Sequence, residues 1–147
     1  LASRRHKAPV ALGTIAGVML LAALNVMPIE GLALIGAVAV IAITSAIDVV
    51  SDGKTAYCIH NGHPMMESYT GAGCQLSALV TAFVAANHDR SPEATAAAVA
   101  TMGLAGEIAY ERLSEKEGNA SYSNYTIDAI YNMTPGDLEK GAKYEVR

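Results

Sequence analysis

Between Ala8 and Ile47 the chain carries a single charged side chain, Glu30, in forty consecutive residues. A stretch that long without charge does not make an ordinary water-exposed surface, so it must be covered by protein or by lipid. Arg4, Arg5, His6 and Lys7 precede its first part, Ala8 to Met27, which only Thr14 and Asn25 interrupt. A basic flank ahead of an apolar run of that length is the pattern of a membrane-spanning helix. The second part, Leu32 to Ile47, ends in the β-branched residues Val38, Val40, Ile41, Ile43 and Thr44, which suit a fully buried parallel strand. Two readings of the block follow, a buried helix and a buried strand, which is favoured, or a membrane-inserted hairpin. A small-residue cleavage site ahead of a disulfide-bearing domain is not evident, which argues against a signal peptide.

The whole chain, at 147 residues, is sized for one domain. Its 52% hydrophobic and 16% charged residues exclude a disordered chain. A formal charge of −4 excludes a protein that holds nucleic-acid phosphates on a basic face. Cys58 and Cys74 show no metal-ligand spacing and make no disulfide framework, so the reducing cytoplasm is the expected compartment.

Beyond Asp48 the signals become local. Val49 and Val50 lead into Ser51-Asp52-Gly53-Lys54, and Thr55 to His60 alternates, which together predict a β-hairpin. Gln75 to Asn87 predicts a buried helix of small apolar residues. Ser91, a natural N-cap, and Pro92 predict the start of an Ala-rich helix reaching Leu113, with Gly103 and Gly106 marking close packing. A polar connection, Ser114 to Ser123, leads to a short amphipathic helix around Ile127 to Met133. Thr134-Pro135-Gly136-Asp137 opens a closing turn.

The strongest chemical signal is Thr70-Gly71-Ala72-Gly73-Cys74 at the mouth of a helix. Glycines let successive amides converge, and the helix dipole adds positive potential, so the segment suits phosphoryl oxygens. A thiol there is shifted toward thiolate and suits a base or nucleophile. A plain glycine-assisted turn with Cys74 as a small buried hydrophobe carries about equal weight on spacing alone. His60 and His63 lack a third ligand at metal spacing and are expected to face solvent or brace a loop. Cys58 is expected to pack in a strand, and Glu115-Lys116-Glu117 to be a solvated face.

Taken together, Val40-Ile41-Ala42-Ile43-Thr44, Ile47 to Gly53, His60-Asn61-Gly62-His63, Thr70 to Cys74 and Ala94 to Ala109 resemble, in order and spacing, the C-terminal half of hydroxyethylthiazole kinases. These are thiamine-salvage enzymes of the ribokinase-like superfamily. The resemblance covers residues 38–147 and implies an α/β, partial ribokinase-like layered fold with a few strands and Ala-rich helices; residues 1–37 are left as an apolar segment of uncertain origin. It implies ATP-dependent phosphorylation of the primary alcohol of hydroxyethylthiazole, with ATP and Mg²⁺ as cofactors. Cys74 would be the catalytic base, where related kinases usually have Asp. Gly71 would contact the substrate, Gly71, Ala72, Gly73 and Cys74 would form the anion hole, and Thr44 would contact ATP. Self-association as a homotrimer, with sites between subunits, is also implied. Family members are nearly twice as long, and their N-terminal half supplies the substrate pocket, an ATP-contacting Arg and the Mg²⁺ segment, while Ser45 stands where a Gly commonly follows the Thr. The alternative expectation is therefore a non-catalytic fragment or chimera that keeps the phosphate-binding helix start, membrane-associated through residues 8–47.

Overall fold

The computed structural model describes residues 40–147. The readings that fall on residues 1–39, including the basic flank, the apolar helix and most of the membrane hairpin, lie outside them. Among the described residues no helix is long and apolar enough to cross a membrane.

The described residues open with three short strands, β1 (Ile41–Ile43), β2 (Asp48–Ser51) and β3 (Ala56–Ile59). The predicted hairpin is β2 and β3, paired antiparallel with Val49 opposite Cys58 and Val50 opposite Tyr57. Its turn closes because the Asp52 carboxylate accepts from the Lys54 and Thr55 amides at 2.9 and 2.8 Å, a local bond that Asp offers readily. A 3-10 turn, Pro64–Ser68, precedes helices α1 (Ala72–Ala86) and α2 (Ser91–Arg112), then α3 (Asn119–Asn132) and the short α4 (Pro135–Gly141). Strand β4 (Tyr144–Val146) returns to pair antiparallel with β3. The sheet order is β1-β2-β3-β4. The chain is thus a mixed α/β unit, as expected.

Helix α2 is the centre of this unit: it contacts α1, α3 and α4 as well as β2 and β3. Every residue from Ala94 to Gly106 except Ala97 is buried, and a helix covered on nearly all sides needs small or apolar residues all round. Val50 and Ile59 of the sheet meet Ala96, Val99 and Ala100 of α2 in the core. The buried hydroxyls of Thr95 and Thr101 donate to the carbonyls one turn earlier, at 2.8 and 2.7 Å, which spares them the cost of unpaired burial. Tyr122 of α3 is fully buried, and its hydroxyl donates to the Gly106 carbonyl at 3.0 Å. Burial pushes that phenol up to about 12.

Several local expectations are corrected. The strand of the apolar block is neither buried nor parallel: β1 is exposed along its length and antiparallel to β2. Among the described residues it is the terminal strand in the sheet order, and a run of β-branched residues reads the same there as in a sheet centre. Helix α1 begins earlier than predicted and has no fully buried residue. Small apolar side chains signal close packing, but the packing here is on one side. Ser91 lies inside α2 instead of capping it, and its hydroxyl donates to the His88 carbonyl at 2.8 Å. Helix α3 starts within the supposed polar connection. The closing turn is the start of α4, held by a reciprocal Thr134–Asp137 capping box. Glu117 does more than face solvent: it accepts from the Ser114 amide at 2.8 Å and the Tyr125 hydroxyl at 2.5 Å.

Candidate functional site

Four segments converge on a cleft of about 400 Å³. The β1–β2 connection contributes Thr44, Ser45, Ala46 and Asp48; the chain after β3 contributes His60 to Pro64, Met66 and Glu67; α1 contributes Ala72, Gly73 and Leu76; and α2 contributes Val99, Met102 and Gly103. Of the residues expected from sequence to form the site, Thr44, Ala72 and Gly73 line this one cleft. Gly71 and Cys74 are not among its lining residues. They flank Ala72 and Gly73 directly in the chain, and Cys74 is exposed with a free thiol.

The start of α1 has the features its sequence predicts. Gly71 takes the N-cap position with φ 108° and ψ −7°, in the left-handed region that side chains other than Gly seldom adopt. The first helical bond, from the Gln75 amide to the Gly71 carbonyl, is 3.0 Å long. The amides of Ala72, Gly73 and Cys74 therefore precede the intrahelical ladder, and Gly71 at the N-cap has no side chain with which to cap them. A Cβ placed on Gly71 or Gly73 would meet nothing within 4 Å. Uncapped, dipole-aligned amides at a helix start suit a phosphoryl group.

Opposite requirements are met at the chain after β3. Asn61 is buried; its side-chain amide donates to the Gly141 carbonyl at 2.9 Å and to Glu107 Oε1 at 3.3 Å, while its Oδ1 accepts from the Lys143 amide at 2.7 Å. The Gly62 amide donates to the same Glu107 Oε1 at 2.9 Å, and Lys143 Nζ donates to Oε2 at 2.7 Å. His63 Nδ1 accepts from the Met65 amide at 3.2 Å, which leaves Nε2 as the N–H of the neutral ring. Its ring stacks on Tyr110 with centroids 3.6 Å apart. The expectation of a loop-bracing histidine holds for His63. Among the described residues no group of three His, Cys, Asp or Glu side chains is placed to hold a metal ion.

Two carboxylates of this region titrate in opposite directions. Burial pushes Asp48 above the ordinary carboxylate range, and the Ser45 amide at 2.8 Å only partly counters it. Burial also acts to raise Glu107, but the bonds from Lys143, Gly62 and Asn61 outweigh it, and its carboxyl lies below the model-compound value of 4.5. A carboxylate lowered by folding stabilises the native state above its unfolded value, and that contribution is lost as pH falls through the lowered folded value. Acid titration below pH 4.5 is therefore expected to lower the melting temperature of the parent more than that of Glu107→Gln. Parallel curves would show that the Glu107 charge contributes nothing to the fold.

Sequence reasoning did not single out Asp48 or Glu107 as site residues. For Glu107 a signal was present: it is the one charged side chain between Ala94 and Tyr110, and it stands one helical turn after Gly103, so both share a face of α2.

Comparisons with known proteins find related sequences and a related fold. A family model described as the hydroxyethylthiazole kinase family matches residues 21–136, a span reaching upstream of residue 38. A Clostridium acetobutylicum protein named hydroxyethylthiazole kinase is 50% identical over 107 residues, covering 73% of this chain and 39% of the relative. A Desulfotalea psychrophila protein of the same name is 42% identical over 104 residues, covering 71% and 37%. A solved structure of a hydroxyethylthiazole kinase protein from Pyrococcus horikoshii OT3 superposes with a TM-score of 0.67 at 34% identity, covering 74% of this chain and 41% of that one. The chain thus spans about two fifths of the length of these relatives. A family model that matches well over half of the sequence means that this chain belongs to the hydroxyethylthiazole kinase family.

Proposed function

We propose that this chain contributes the phosphoryl-transfer half of a hydroxyethylthiazole kinase site, in which ATP phosphorylates the substrate's primary alcohol. The observation that carries the reading is the uncapped start of α1, with Gly71 at positive φ and Ala72 and Gly73 lining the same cleft as Thr44. Bound there, ATP would supply the phosphoryl group. The amides of Ala72, Gly73 and Cys74 would take the charge that develops on its equatorial oxygens. Gly71, whose left-handed backbone turns the chain into α1, would contact the alcohol through its main chain, and Thr44 would contact the nucleotide.

Cys74 would accept the alcohol's proton as the oxygen forms its bond to phosphorus and the bond to the leaving diphosphate breaks. Its exposure leaves the sulfur accessible to a substrate. Mg²⁺ belongs to the reaction by family resemblance. Among the described residues no group of three His, Cys, Asp or Glu side chains is placed to hold it; the part proposed for the described residues is that of the backbone amides and the thiol. A trimer with sites between subunits and a cytoplasmic location complete the reading. Family membership weighs against the alternative of a fragment without turnover.

Incubation of the protein with ATP, Mg²⁺ and hydroxyethylthiazole tests the reading. Phosphorylated thiazole alcohol is the expected product, and sedimentation is expected to give a trimer. ATP binding by calorimetry without product would favour the non-catalytic reading instead.

A further inference from the structure

Helix α2 offers the cleft a seat one turn long. At its first position Gly103 has no side chain, and a Cβ there would lie 2.7 Å from both the Cβ and the carbonyl oxygen of Asn61. At its second, Glu107 directs a single oxygen, Oε1, to both the Asn61 side chain and the Gly62 amide. The first position lets the backbone approach; the second holds it. The segment so held, Asn61 to His63, is a wall of the cleft that also contains Thr44 and the α1 start. The other carboxylate oxygen, Oε2, is occupied by Lys143, so the two halves of the group have separable duties.

We propose that Glu107 is a positioning residue for the cleft, its Oε1 fixing the Asn61–His63 wall against the nucleotide side of the site. Glu107 need touch no substrate to do this. The side chain is only 20% exposed, and a hydrogen bond to a charged acceptor in such a place is worth enough to set a loop's conformation. The nucleotide side is defined by the kinase reading, and the inference rests on that reading for its kinetic consequence alone.

Three variants separate the duties of the two oxygens. Glu107→Ala is expected to speed hydrogen exchange at the Gly62 amide about tenfold or more and to raise the KM for ATP roughly tenfold, with a smaller change in kcat. Glu107→Gln keeps an oxygen acceptor for Gly62 and is expected to return both quantities to within about threefold of the parent. Lys143→Ala, which removes only the Oε2 partner, is expected to leave the KM within about twofold. The proposal is overturned by unchanged Gly62 exchange in Glu107→Ala, by faster exchange with an unchanged KM, or by an equal rise in KM in Lys143→Ala. Absence of phosphorylated product from the parent would sink the kinase reading instead. The Gly62 exchange rates would still decide whether Glu107 holds the wall.

Discussion

Replacing Cys74 with Ala is expected to lower kcat roughly 10²- to 10⁴-fold, the range that general-base catalysis by a positioned side chain supplies, while the KM for ATP stays within about twofold. The split follows from the way the site is built. The amides proposed to hold the transferring phosphoryl belong to the backbone of α1, which starts at Gly71 without help from any side chain. Removing the Cys74 sulfur leaves those amides where they are, whereas the proton of the alcohol loses its acceptor. Cys74→Ser should behave like Cys74→Ala, since a hydroxyl is a poor base near neutrality. Cys74→Asp should recover part of the rate, because a carboxylate can accept the proton and related kinases usually carry Asp at this helix start. A Cys74→Ala variant with parental kcat would remove the thiol from the mechanism.

Gly103→Val is expected to cost about 3 kcal/mol or more, the upper part of the range for overpacking a buried site, and to lower the melting temperature by about 10 °C. The atoms in the way are the carbonyl oxygen, carbonyl carbon and Cβ of Asn61, all within 2.8 Å of the added Cβ. None can swing aside without moving the backbone that Glu107 and Lys143 hold. Gly103→Ala tests the same contact with less bulk and a small gain in helix propensity, and should be intermediate. Gly106 offers a contrast on the same helix. A Cβ there would meet the Met66 side chain at 2.5 Å and the Tyr122 hydroxyl at 3.0 Å, and the thioether can change rotamer at modest cost. Gly106→Ala should therefore be the milder change. Equal melting temperatures for Gly103→Val and the parent would mean that the Asn61 loop shifts freely.

Much of the unit was legible residue by residue. The β2–β3 hairpin followed from Asp52-Gly53 and the flanking alternation, because turn chemistry acts over neighbouring residues. Gly71-Ala72-Gly73 marks the mouth of α1, because glycine conformations are local properties, although the run of small apolar residues predicts the helix only from Gln75 and it starts at Ala72. The Ala-rich α2 was read with its near-correct ends, although Ser91 capped nothing. What stayed hidden depends on partners distant in sequence. Strand β4 is three residues, Tyr144–Val146, defined by pairing with β3 across most of the described chain, and it has no periodicity long enough to show. The antiparallel pairing of β1 with β2 and the one-sided packing of α1 also depend on neighbours that composition does not name.

The opening feature, a long block with almost no charge, set the need for cover, but its described end shows exposed Ile41 and Ile43 in β1. Hydrophobicity alone therefore placed that need without saying what meets it. The sequence by itself determined the glycine-marked mouth of α1, the hairpin and the family, because glycine conformations, turn bonds and ordered motifs are written in consecutive residues. Only the tertiary structure decided that Thr44, Ala72 and Gly73 share a cleft and that Glu107 grips Asn61 and Gly62 from a helix more than forty residues away. A hydrogen bond across that separation exists only once burial in the folded core has brought the two segments together.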